Sequence, residues 1–149
     1  MNIKEFASKV IALSPQIIRG FKQYENNYLT RGEITLPQFM ALGYLERNGR
    51  SKMNDLARHF RTSPSATTGL MDRLILQGLV ARQDDLHDRR IVWIRLTAKG
   101  RGIIKSINEQ KTKTLINIFG KISPEDRARY LNILEQVVKI TSSIPEVRK

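Results

Sequence analysis

The amino-acid sequence predicts a mainly α fold with one small β-hairpin. Three observations carry that expectation. Apolar residues recur at helical spacing through both ends of the chain. Two short capped helices, joined by a tight turn, occupy the middle. Directly after them a polar tip leads into a run of alternating strand character, Ile91-Val92-Trp93-Ile94-Arg95-Leu96.

At the N-terminus, Ile3, Ala7, Val10, Ile17, Phe21, Tyr24 and Tyr28 follow a 3–4 alternation with Ser14 as the polar member, which predicts one helical stripe over residues 3–29. Pro15 is expected to kink that helix or restart it, because it removes a backbone donor and crowds the preceding turn. Residues 36–47 form the second helix, capped at Thr35 or Leu36, with Pro37 in the first turn, where no N–H is needed. Asn48-Gly49 ends it.

Asn54 is expected to cap a short helix with Leu56, Ala57 and Phe60 turned inward. Ser63-Pro64 then starts another, with Ala66, Leu70, Leu74 and Ile75 as its inward stripe and Gly78 at its end. Two short helices across a tight turn read as helix-turn-helix. Strands follow at residues 79–82 and 91–96, and a hairpin behind a helix-turn-helix makes a wing. Thr97 opens a further helix through Ile103, Ile104, Ile107, Leu115, Ile118 and Phe119. Ser123-Pro124 opens the last, through Tyr130, Leu131, Leu134, Val137, Val138 and Ile140.

The expected architecture is therefore a single domain over 1–149. A winged helix-turn-helix at 34–101 is flanked by terminal helices at 1–33 and 102–149. Those helices are too long and apolar to serve only as packing for so small a module, so they are expected to pair with a second copy. The alternative is a self-contained monomeric bundle.

Composition narrows the function. The chain has 149 residues and a net charge of +12, of which residues 47–101 carry +7. A basic domain favours polyanions, but charge alone leaves nucleic acid, an anionic membrane and a merely solvated surface all open. There is no cysteine, which excludes thiol redox sensing and Cys-ligated zinc. His59 and His87 are too few and too separated for a metal site. The N-terminus lacks signal-peptide character and no apolar run reaches about 18 residues, so a cytoplasmic protein without a membrane span is expected. Gly100–Gly102 lacks the phosphate-loop spacing, and neither a nucleophile elbow nor a zinc-protease motif occurs. No enzyme, cofactor or metal is expected.

Two constellations point to DNA. Near the start of the helix opened by Ser63, the residues Ser65, Thr67 and Thr68 are read as outward, small enough to enter a major groove. Arg73, further along, is in reach of a phosphate. At the hairpin tip, Arg89 and Arg90 are placed for the neighbouring minor groove, with Asp88 expected to hold the Arg90 guanidinium by a paired hydrogen bond. A winged helix used for protein or RNA contact is the competing class, and salt-dependent preference for one duplex separates the two.

Residues 88–100 match D-x-R-x-x-x-x-x-L-T-x-x-G at every fixed position: Asp88, Arg90, Leu96, Thr97 and Gly100. That pattern, with the flanking LPQFMALGYL, MNDLARHF and SPSATTGLMDRLILQGLVAR, resembles the MarR family of transcription regulators over nearly the whole chain. The resemblance implies a homodimeric regulator, most often a repressor, on a near-palindromic double-stranded DNA operator. It casts Arg90 as the minor-groove arginine with Asp88 beside it, and Ser65, Thr67 and Thr68 as groove-facing. Gly69 departs from it, since many members carry a basic residue there. The resemblance also implies a crevice for a small phenolic or anionic ligand, for which Phe21, Tyr24, Tyr28, Phe39 and Tyr44 are the candidates.

Overall fold

Side-chain caps set most of the helix boundaries in the computed structural model, which describes residues 1–88 and 90–143. Helix α1 (Ile3–Tyr24) starts at a capping box in which Asn2 and Glu5 satisfy each other's backbone N–H groups. It runs unbroken through Pro15, so the expected restart does not occur. The proline supplies no N–H to the Ile11 carbonyl, and because this stretch is exposed, water can take that place. The helix ends sooner than its stripe suggested. Asn27 Oδ1 accepts the N–H groups of Leu29 at 2.9 Å and Thr30 at 3.2 Å, which turns the chain and leaves Tyr28 outside the helix.

Helix α2 (Leu36–Asn48) opens on a Thr35–Gln38 capping box with Pro37 in its first turn, and the Gly49 N–H closes it on the Leu45 carbonyl. Strand β1 (Ser51–Lys52) comes next, an element the sequence did not announce. Helix α3 (Met53–Phe60) begins one residue before Asn54, so the expected Asn54 cap is not formed: Lys52 holds the cap position and makes no side-chain bond there. The turn to helix α4 (Pro64–Leu76) passes through Arg61 at φ 51, and Ser63 caps α4 by accepting the Ala66 N–H at 3.2 Å.

Gly78, at φ +71, turns the chain out of α4 while the Leu79 N–H returns to the Leu74 carbonyl. Strands β2 (Val80–Asp84) and β3 (Val92–Leu96) pair antiparallel from Val80↔Leu96 to Asp84↔Val92. Strand β1 pairs with β3 on the other side, at Ser51↔Ile94 and Lys52↔Trp93, giving the sheet order β1-β3-β2. Helices α5 (Ala98–Phe119) and α6 (Pro124–Ser143) complete the chain.

The described chain divides into two compact units, Met1–Lys111 and Thr112–Lys149. In the first, Leu42, Leu45, Leu56, Met71, Leu74, Leu79, Ile94 and Ile104 form one core joining α2, α3, α4, the sheet and the start of α5. No residue of α1 is buried, and Ile3, Ile11 and Ile18 are among its exposed apolar residues. In the second unit, Arg127 Nη1 donates to the Phe119 and Ile122 carbonyls, and Leu115, Phe119, Tyr130 and Leu134 line an open apolar groove.

Candidate nucleic-acid interface

The site is built on α4 and the hairpin behind it. Burial of Met71 and Leu74 fixes which side of α4 meets the core, and a helix of 3.6 residues per turn then presents Ser65, Thr68, Gly69, Asp72, Arg73 and Leu76 along the opposite side. Ser63 and Ser65 share a hydroxyl contact at 3.0 Å, and both are exposed. The Thr68 hydroxyl donates to the Pro64 carbonyl at 2.9 Å, and the residue is exposed. Arg73 is exposed, with Nε bonded to the Gly69 carbonyl at 3.1 Å.

Thr67 is the correction. It is 1% exposed, with its hydroxyl 2.7 Å from the Thr62 hydroxyl and 3.1 Å from the Ser63 carbonyl it donates to. It locks the turn of the helix-turn-helix from inside and has no atom to offer a groove. Ala66, expected inside, is exposed in its stead. A buried hydroxyl is tolerated because a carbonyl one turn back accepts it.

The hairpin loop spans residues 85–91 and is organised by Asp85. Its Oδ2 accepts the Trp93 indole N–H at 2.8 Å, and its Oδ1 accepts the backbone N–H groups of His87 at 2.9 Å and Asp88 at 3.2 Å. These donors, Trp93 foremost, hold the Asp85 carboxyl below the usual carboxylate range, with Arg50 adding a smaller push in the same direction. Trp93 itself lies under two cations, the Arg50 guanidinium at 4.5 Å and the Lys52 ammonium at 5.1 Å from the ring centre.

Beyond that hub, Asp88 Oδ1 accepts both the Arg90 backbone N–H at 2.9 Å and Arg90 Nε at 3.4 Å. The expected fork-to-fork pairing is therefore replaced by a single shared oxygen. The Arg90 side chain is 93% exposed, and its two terminal nitrogens make no bond to the described residues. Arg89 lies outside the described residues.

Two links join hairpin to helix. Arg82 on β2 bonds Asp72 on the outer side of α4. Thr97, between β3 and α5, donates from its hydroxyl to the Gly78 carbonyl at 2.7 Å and accepts the Gly100 N–H at 3.0 Å. The L-T-x-x-G pattern is thus a joint: Thr97 caps α5 and ties it to the strand start.

Of the five candidate crevice residues, Phe39 and Tyr44 both lie on α2. Phe39 and Tyr44 are about 140° apart around α2, given 3.6 residues per turn. Tyr44 packs on His59 and Phe60, at centroid distances of 4.2 and 5.7 Å. Tyr28 and Phe39 border the core, beneath Arg31 at 4.9 Å and Lys111 at 6.0 Å. Phe21 is half-buried and Tyr24 exposed.

Asp85, Trp93 and the Arg82–Asp72 pair escaped the sequence reading. The strand register was the missing signal: with Asp84 opposite Val92, Asp85 stands within reach of Trp93.

A family model of the MarR family matches residues 33–91. The HTH-type transcriptional regulator YsmB of Bacillus subtilis is 33% identical over 107 residues, covering 72% of this chain and 73% of the relative. YwhA of the same species is 29% identical over 113 residues, covering 72% and 81%. The structure of a MarR family protein from Bacillus stearothermophilus superposes with a TM-score of 0.75 at 31% identity, covering 96% of this chain and 99% of that one. Taken with the joint at Thr97 and the hairpin behind α4, these matches establish that the chain belongs to the MarR family of winged-helix, DNA-binding transcription regulators and is not an enzyme.

Proposed function

We propose that this regulator is a cytoplasmic homodimeric repressor of a near-palindromic operator. Each α4 enters a major groove through Ser63, Ser65, Thr68 and Arg73. Each hairpin places Arg90, with Arg89 beside it, in the adjacent minor groove. Half-sites then lie about 10 bp apart, one helical turn. The observation that carries this reading is the exposed Arg90 guanidinium, on a tip anchored by Asp85 and Asp88 and linked by Arg82 to the helix beside it. Its two terminal nitrogens, unbonded among the described residues, suit a narrow, strongly negative minor groove.

The homodimer reading rests on the uncovered apolar surface of α1 and α6, within the terminal regions 1–33 and 102–149. Ligand control rests on Tyr28 and Phe39, with Phe21 and Tyr24 nearby in the chain. Two of these rings sit under cations, which suits a small phenolic or anionic molecule. Such a ligand acts by favouring one spacing of the two recognition helices, with a coupling of about 1–3 kcal/mol.

Selection of bound duplexes from a random pool, repeated at raised salt, tests the reading. Enrichment of a palindrome with half-sites one turn apart supports it. Salt-sensitive binding without any enrichment overturns it, because backbone charge alone would account for that result.

A further inference from the structure

The register of the sheet sorts its side chains onto two faces. Val80, Ile94 and Leu96 belong to the core shared with α4, and Arg82, opposite Ile94, reaches Asp72 on that helix. Side chains alternate along a strand. Lys52, Trp93 and Gln83, partners across the three strands, therefore stand on the other face, with Arg95 two residues on from Trp93. Arg50, just before β1, joins them: its guanidinium lies 4.5 Å and the Lys52 ammonium 5.1 Å from the Trp93 ring centre.

This outer face is basic and its charges are unanswered. Asp84 pairs with Val92 and so falls on the core side. Asp85, at the edge, is engaged by the Trp93 indole and by the backbone N–H groups of His87 and Asp88. Among the described residues, neither Arg50, Lys52 nor Arg95 makes an ion pair or a side-chain hydrogen bond. Arg50 and Arg95 are exposed, and Lys52 is half-buried. Gathering two cations at one ring is opposed by their repulsion, and an anion from outside would offset it. The face is also continuous with the hairpin tip, because Asp85 ties Trp93 to the loop that carries Asp88 and Arg90.

We infer that this face is a phosphate clamp: Arg50, Lys52 and Arg95 take backbone phosphates of the DNA beyond the minor groove that Arg90 enters, on the side away from α4. Trp93 is a positioning residue that holds Arg50 and Lys52 in place, so less side-chain freedom is lost on contact. The inference rests on the DNA-binding arrangement proposed above and adds a contact that strengthens binding without reading sequence.

The test uses the full-length protein and the duplex enriched from the random pool, once with long flanks and once trimmed at the minor groove protected by the hairpin in a hydroxyl-radical footprint. Affinity is read by fluorescence anisotropy across a salt series. Each phosphate contact contributes roughly 0.9 to the slope of log K against log salt, so Arg50→Gln/Lys52→Gln is expected to lower that slope by about 2 on the long duplex, with a loss of affinity on the order of tenfold. Arg95→Gln is expected to lower it by about 1. Preference for the operator over a scrambled duplex should be unchanged, and on the trimmed duplex wild type and variants should bind alike. Melting temperatures should hold, since Arg50 is exposed and Lys52 makes no capping bond. Lys4→Gln/Lys9→Gln removes the same charge from exposed positions of α1 and should leave the slope as it is. Emission from Trp93, the sole tryptophan, should change on the long duplex and not on the trimmed one.

Equal slopes for the wild type and Arg50→Gln/Lys52→Gln overturn the inference. If, in addition, only the wild type binds phosphatidylserine vesicles, the face belongs to a membrane instead. An equal loss on long and trimmed duplexes also overturns it, as a general effect of charge, and so does a loss confined to the operator, as base reading. A pool from which no duplex is enriched overturns the DNA-reading role on which the clamp rests.

Discussion

A Cβ on Gly100 would stand 2.2 Å from the Leu79 carbonyl oxygen and 2.8 Å from Leu96 Cδ1. The same carbonyl accepts the Thr97 N–H at 3.1 Å, so strand start, strand end and helix start converge within one contact. Only a residue without a side chain fits there. Gly100→Ala is expected to destabilise the fold by about 1–3 kcal/mol through overpacking, read as a fall in the denaturation midpoint. An unchanged midpoint would show that this joint yields easily.

Arg90→Ala is expected to weaken operator binding by about 1–3 kcal/mol while leaving stability within roughly 0.5 kcal/mol, because the side chain is almost fully exposed. Affinity and thermal melting on the same preparation separate the two effects. A variant that bound the operator like the wild type would remove the hairpin from the proposed contact.

Thr67→Val keeps the shape and deletes the inward hydroxyl. It is expected to cost about 1 kcal/mol of stability, from the lost bonds to Thr62 and Ser63. Operator affinity of the folded protein should hold. Loss of affinity without loss of stability would return Thr67 to the DNA-facing set.

The Asp85 hub has a defined pH signature. Its carboxyl is held below the usual range in the folded chain, so its contribution is fully present above the unfolded value of about 3.9 and is lost as the pH falls through the depressed folded value. Trp93 is the only tryptophan in the sequence and donates to this carboxylate, so its emission reads the event directly. An emission change is expected as the pH falls below about 4, and Asp85→Asn should abolish that titration. The same titration persisting in Asp85→Asn would assign it to another group.

Capping chemistry is local, and that is why so many boundaries were legible. Thr35 with Gln38, Ser63 with Pro64, and Thr97 with Gly100 each place a hydroxyl or a proline within a few residues of the turn it stabilises. The L-T-x-x-G pattern likewise carries its own geometry. Strand β1 escaped because two residues cannot show an alternation; it exists only by pairing with β3. The phase of α4 was misread because Ala66 and Thr67 are both small. The choice between them depends on whether the Thr67 hydroxyl finds a carbonyl, which a hydrophobic pattern does not encode. The Asp85–Trp93 contact crosses the hairpin and follows from the register of strands that meet only in the folded chain.

Pro15 interrupts the amide ladder of α1, and neither run exceeds the roughly 12–15 residues an isolated helix needs to hold in water. With no buried residue along its 22, the helix gains little from its own chain. On the homodimer reading, its order is then a matter of mass action. The helical signal of α1 should fade on dilution, its amides should exchange at a rate set by protein concentration, and the subunit dissociation constant should also be the constant for unravelling the first two dozen residues.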